Sequence, residues 1–516
     1  MVIKTLILII TTFFSLAAYS QAKGDNVRGK ENPIFASAFK KYEQKNFKGA
    51  YIDYTSYLTK FPNDADAMFN RGLCAYELLD FKDALMQHSK SIAGGRKKHD
   101  GYYSRGLDNF QLKNYAMAIL DFDTALYLNP NYTNAATYKG ASLNELGKFT
   151  EALTILNAVI SKNKKADNAL YYRALVKYNL NNFIESINDC NEALLLKKND
   201  DVYFWRGCNY ISIQKYKEAI ADYDTVLQHR PKNARAYYNR GLANYYLRNF
   251  EKSIADNTKA IENDPKKETA YYIRALSKHA LNRCLEAEPD FNAAIELNMR
   301  EAKHYKWRGI NYYYIKKPSL ALADLNASIS KDATDENAFY YRALVKYDLE
   351  DDKGVIEDCT SALAIHKTFD VYYQRGVSHF VLKEYEDAIN DFNESLKLNP
   401  DFKSAILERG ICYFQTSNDT LAMIDLNKAI ELNPKSERAF LFRGKLKKFM
   451  NDIAGSCSDL KQARALGNSS AEEELNELPR GRAPRYRRKI ICSFIFENPS
   501  FSNFPLNPEA EPRGIL

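Results

Sequence analysis

Apolar positions along this chain carry two nested periods. Within short stretches they fall three and four residues apart, the spacing of one face of an α-helix. The stretches come in pairs, and a basic residue followed by Gly or Ala marks each pair. The markers are Arg71-Gly72, Arg105-Gly106, Lys139-Gly140, Arg173-Ala174, Arg206-Gly207, Arg240-Gly241, Arg274-Ala275, Arg308-Gly309, Arg342-Ala343, Arg375-Gly376, Arg409-Gly410 and Arg443-Gly444. Successive markers stand 34 residues apart, except for two steps of 33, and one period upstream the register lands on Ser37-Ala38. Thirteen units therefore span roughly 33–467.

Each unit predicts two helices joined by a polar turn. The Gly or Ala anchor is followed twelve positions later by a second small residue, Ala in nine units (Ala50, Ala84, Ala118, Ala152, Ala219, Ala287, Ala321, Ala388 and Ala422). Residues without bulk at those two points let the paired helices approach closely. Lys113-Asn114 and Arg248-Asn249 exemplify the turns. Pro62, Pro130, Pro231, Pro265, Pro400 and Pro434 close their units, because proline cannot donate the next helical hydrogen bond. Pro289 falls inside a second helix, so a kink is expected in the unit 271–299.

The period, the small anchor with tyrosines around it, the second Ala, the second-helix aromatics Phe122, Tyr223, Phe291 and Phe392, and the closing Pro together resemble the tetratricopeptide repeat (TPR). The resemblance covers about 435 of 516 residues. It implies an all-α, right-handed α-solenoid of about thirteen helix-turn-helix repeats, with a concave face that holds a protein or peptide partner and no catalysis.

In that family the first helix of each unit lines the concave face. Three residues before the anchor stand Phe69, Tyr103, Tyr171, Phe204, Tyr238, Tyr272, Tyr340 and Tyr373; four residues after it stand Tyr76, Phe110, Tyr178, Tyr245, Tyr313, Tyr347, Phe380 and Phe414. Positions seven apart share a helix face, so these rings predict an aromatic ladder along the groove. They suit an extended peptide or stacked sugar rings, and equally serve packing between repeats. The residue after the anchor is apolar (Leu73, Leu107, Leu242, Ile310, Val377), which excludes the Lys/Asn clamp by which some TPR modules hold a terminal carboxylate.

Fifteen residues after the anchor, Asp stands in eleven of thirteen units, and Arg precedes the anchor in eleven. An Arg–Asp ladder between helices is expected, read as a packing-layer ion pair rather than a binding surface, since a feature of nearly every unit marks the repeat. Lys139 and Ile155 interrupt it, and Thr137 and Asn144 break the aromatic pattern of the same unit. Residues 153–182 and 322–351 share 18 identities in 30, which indicates duplication of a five-unit block and predicts two similar surfaces.

Composition narrows the function. Lys4 and residues 479–516 supply +5 of the net charge of +8, leaving too little on the repeats for nucleic acid. His88, His99, His229, His279, His304, His366 and His379 form no HxxxH or HExxH pair, no Gly-rich phosphate loop or GxSxG occurs, and Gly94-Gly95 reads as a helix cap. No catalytic residue, metal or cofactor is expected. The eight cysteines are scattered and read as buried apolar residues, with Cys190 and Cys208 the pair to test for a disulfide.

The ends differ from the repeats. Residues 1–20 read as a cleaved secretory signal, with Lys4, an apolar run from Leu6 to Ala18, and Ala18-Tyr19-Ser20 before the cut. The first cysteine is Cys74, so no lipid anchor is expected, nor a membrane span in the mature chain. A linker covers 21–32, the TPR array 33–467 and a polar capping helix 468–478, with a capping box at Ser469 or Ser470. The tail 479–516 is basic, then apolar over 490–496. It is read as disordered in preference to a membrane-surface patch or a docking tail. The expected function is an exported scaffold, periplasmic or secreted, holding a protein partner in an aromatic groove. The alternative is an envelope carbohydrate-binding protein using the same tyrosines.

Overall fold

The computed structural model describes residues 32–478. The expected leader, all of the linker but Asn32, Cys492 and the tail lie outside them. The described residues contain 27 helices and no strand: thirteen pairs and a closing helix, Ser470–Asn476. The chain divides into two compact bodies, Met1–Pro265 and Lys266–Leu516. Seven pairs lie in the first, six pairs and the closing helix in the second. Each body is an all-α solenoid in which successive helices pack in chain order. None of the described helices is long and apolar enough to cross a membrane.

The anchors act by close approach. A Cβ on Gly106 would stand 2.6 Å from Cε1 of Phe122, and one on Gly207 would stand 2.8 Å from Cζ of Tyr223. The ring sixteen residues on therefore occupies the space a side chain would need. At Ala174 and Ala343 the residue sixteen on is the smaller Cys190 or Cys359, although Ala275 is followed at that distance by Phe291. The nine second-position alanines are fully buried.

Each first helix ends in the same turn. Its second residue past the helix takes a left-handed conformation in units such as those of Lys113 (φ 63°) and Arg248 (φ 61°), and glycine fills the place only at Gly147. In the Gly106 unit, Lys113 N–H donates to Phe110 O at 3.0 Å and Asn114 N–H to Asn109 O at 2.8 Å, satisfying the helix-end carbonyls. The six closing prolines lie in the turns after second helices. Pro289 does not interrupt its helix, which runs from Cys284 to Leu297; the carbonyl that loses its partner belongs to Leu285, a residue 70% exposed and so within reach of water.

The Arg–Asp ladder is present in ten units. Arg173 donates from Nε and Nη2 to the two oxygens of Asp189 at 2.8 and 2.6 Å, and Arg443 repeats this on Asp459 at 2.8 and 2.7 Å. The remaining nitrogen, Nη1, reaches the preceding second helix: Arg173 to Asn157 at 2.9 Å, Arg342 to Asn326 at 2.6 Å, Arg409 to Asn393 at 2.7 Å. One side chain thus joins three helices. Lys139, with no Asp ahead of it, keeps only the backward contact, 2.6 Å from Asp123. Arg71 turns to Tyr51 Oη at 2.8 Å where Gln87 replaces the Asp.

At the C-terminal end, Glu474 lies 3.2 Å from Lys445 and 3.1 Å from Lys448, and Ala471 is buried. The expected capping box is not formed: Ser469 is already helical in φ and ψ and makes no side-chain cap, so the end is held by ion pairs instead. The seven cysteines among the described residues are free thiols; Cys190 and Cys208 are buried and unlinked, and burial pushes them up to about 12 and about 11.

Removing one side of a buried rung strands the other. Arg342→Ala leaves Asp358 buried with only Lys346 and is expected to cost about 3–5 kcal/mol, whereas replacing both Arg342 and Asp358 by apolar residues costs much less. Thermal and chemical denaturation of the single and double variants reads the difference; equal losses would contradict the rung.

Candidate partner-binding surface

The sixteen rings expected to line the groove lie on first helices, as predicted, but mostly inside them. Ten are buried: Phe69, Tyr76, Tyr103, Tyr171, Phe204, Tyr238, Tyr272, Tyr373, Phe380 and Phe414. The other six, Phe110, Tyr178, Tyr245, Tyr313, Tyr340 and Tyr347, are half-buried. The ladder is chiefly a packing layer, because two partners in the same unit claim these rings. Those before the anchor meet the second-helix aromatic, as in Tyr103–Phe122 (6.0 Å between centroids), Phe204–Tyr223 (5.7 Å) and Tyr373–Phe392 (5.8 Å). Those after it meet the first residue of the second helix edge to face, as in Tyr76–Phe81 (5.3 Å), Phe110–Tyr115 (5.6 Å), Tyr178–Phe183 (5.6 Å) and Phe380–Tyr385 (5.6 Å).

Burial also moves the phenols. It holds Tyr103 and Tyr171 well above the usual tyrosine range and pushes Tyr178 and Tyr347 up to about 12. These hydroxyls are neutral donors and acceptors at any physiological pH. The apolar residues after the anchors, including Leu73, Leu107, Leu242, Ile310 and Val377, are buried and so present nothing to a ligand.

Several further rings left partly exposed are ones the seven-residue spacing passes over. Both tryptophans of the chain, Trp205 and Trp307, stand two residues before an anchor and are partly exposed. In the second body, Trp307 and Tyr314 flank the His279 ring at 5.8 and 5.1 Å, and Tyr313 meets Tyr341 at 6.3 Å. In the first, Tyr178 meets Trp205 at 5.3 Å, and Arg235 lies 4.8 Å over Phe204. The rarity of tryptophan was the available signal. The ladder position before Gly309 holds Lys306, buried, with Nζ 2.7 Å from Asp335.

A separate cleft of about 710 Å³ opens along the ion-pair ladder, lined by Tyr372, Arg375, Asn393, Glu394, Lys397 and Arg409 among others. Its guanidiniums are engaged by the rungs at Asp391 and Asp425.

Two outcomes follow. Tyr272→Ala, at a side chain 1% exposed, is expected to cost about 3–5 kcal/mol, whereas the half-buried Tyr245→Ala costs less. Thermal melts of the two variants check the order. His304 is buried against Tyr272, 4.9 Å away, and burial, reinforced by the charge of Lys303, holds its imidazole below the ordinary 6.5. The folded state then binds fewer protons than the unfolded one. Its contribution is complete above that ordinary value and is lost as pH falls below it. The melting temperature of the wild type should drop more than that of His304→Phe between neutral pH and pH about 5.

The family model described as "Tetratricopeptide repeat" matches residues 234–267 and 369–402, and that described as "TPR repeat" matches 207–247. No curated protein matches the chain. Among solved structures, the chain is similar to the Cut9–Hcn1 hetero-tetramer of the APC/C, at 15% identity over 84% of this chain and 98% of that one, with a TM-score of 0.44. It is also similar to YrrB, a TPR protein with an unusual peptide-binding site, at 19% identity over 36% and 98%, TM-score 0.34. A third is the C-terminal part of a TPR repeat-containing protein from Cytophaga hutchinsonii, at 19% identity over 46% and 99%, TM-score 0.40. With thirteen helix pairs of one design and family matches in both bodies, the chain is a tetratricopeptide-repeat protein.

Proposed function

We propose that the protein is an exported, non-catalytic scaffold whose first-helix surfaces hold a protein or peptide partner. The tetratricopeptide fold is a protein-interaction scaffold, and the observation that carries the reading further is the row of partly exposed rings on successive first helices. In the second body these are Trp307, Tyr313, Tyr340, Tyr341 and Tyr347, with Tyr314 at the edge. Such rings lose little rotamer entropy on binding and combine an apolar face with a polar edge, the properties of interface anchors. Packing on neighbouring repeats already holds them, so a partner would meet a preorganised surface. Export rests on the leader at residues 1–20 and places the partner in the periplasm or outside the cell.

The test is recovery of a partner from the cell-envelope fraction by the full chain and by a Trp307→Ala/Tyr314→Ala variant with an unchanged melting temperature. Loss of a protein partner from the variant supports the proposal. Loss of glycan-array binding instead would support the carbohydrate alternative, and loss of neither would make these rings structural only.

A further inference from the structure

The residue three past the anchor has one role in most units. Lys177, Lys278, Lys346 and Lys447 place Nζ 2.8–3.0 Å from the rung aspartates Asp189, Asp290, Asp358 and Asp459. Asn109 and Asn244 donate to Asp121 and Asp256 at 3.0 and 3.1 Å. In the Gly376 unit this place holds His379. Its Nε2 stands 3.8 Å from Asp391, already paired with Arg375, while Nδ1 lies 2.6 Å from Oε2 of Glu384. Glu384 is the cap residue of the second helix, Tyr385–Leu398, and Asp387 lies in its first turn. One donor atom each from His379, Glu384 and Asp387 lies within 4.8 Å of the others.

We propose that His379, Glu384 and Asp387 form a binding site for a divalent transition-metal cation, of which Zn²⁺ fits the donor set best. One imidazole nitrogen with two carboxylate oxygens is a ligand set Zn²⁺ accepts, whereas Mg²⁺ and Ca²⁺ favour oxygen alone. Nδ1 faces the two acids; with the proton on Nε2, on the side of Asp391 3.8 Å away, its lone pair points at them. A lone pair facing carboxylates needs a positive charge between them, supplied by a proton or by a metal. The acids are exposed and the imidazole is not fully buried, so water can enter and complete the coordination.

The repeat does not account for this cluster. Acids stand at the positions of Glu384 and Asp387 together in only one other unit, as Asp80 and Asp83, and there the residue three past the anchor is Ala75. The site lies where the first helix of the pair hands over to the second. A bound cation would fasten that turn and, through Asp391, the wall of the cleft at Tyr372 and Arg375.

Isothermal titration of ZnCl2 into the chelator-treated full chain tests the site, with MgCl2 as the comparison. The decisive variant is His379→Lys, which installs the residue five other units carry at this place and so preserves the rung. Glu384→Gln/Asp387→Asn removes the carboxylates in a second chain, and circular dichroism confirms that both remain helical. Zn²⁺ is expected to bind the wild type and to weaken by at least about tenfold in both variants, with Mg²⁺ binding far more weakly. Absence of Zn²⁺ binding in the wild type, or unchanged affinity in either variant, would overturn the proposal.

Discussion

Within each body, a planar guanidinium with donors on two edges ties most repeats to the one before. In the Arg173, Arg308 and Arg443 units, the edge formed by Nε and Nη2 grips an Asp of the unit's own second helix, while Nη1 reaches an Asn of the second helix before it. The Asp is nearly buried and the Arg half-covered, so the pair is screened less than a surface salt bridge. Because the Arg precedes the anchor, the ion pair and the close helix contact act at the same level of the same helix. A lysine offers a single point charge without the fork, and Lys139, with Ile155 ahead of it in place of Asp, keeps only Asp123.

The aromatic content follows from that arrangement. Close approach at the anchor brings the second-helix ring under the first helix, where Phe122, Tyr223, Phe291 and Phe392 are fully buried. Rings three before and four after the anchor then pack around it from the same unit. Aromatics two residues before an anchor divide: Tyr138, Tyr172 and Phe442 are buried, whereas Trp205, Trp307 and Tyr341 stay partly open.

The duplicated segments show how completely the unit repeats itself. Arg173, Asp189, Asn157 and Lys177 in the first body make the contacts that Arg342, Asp358, Asn326 and Lys346 make in the second. Their rings diverge: Tyr171 and Tyr172 are buried, while Tyr340 and Tyr341 are half-exposed. Identical unit chemistry therefore coexists with different surfaces, because exposure depends on what the flanking units supply.

Period, anchor, second alanine and the Asp register determined the helix pairs, their turns and the ion-pair ladder from sequence alone. Each of these rests on contacts within a unit or with its neighbour, at separations the 34-residue period encodes. Spacing placed the sixteen rings on first helices but did not show that ten of them face inward, since residues seven apart share a face whether that face is solvent or core. The box at Ser469 was misread because local rules count cap hydrogen bonds but not the ion pairs that replace them. Only the tertiary structure brought His379 to Glu384 and Asp387 across a helical turn, and only it selected the exposed rings, because both depend on how adjacent helices cover one another.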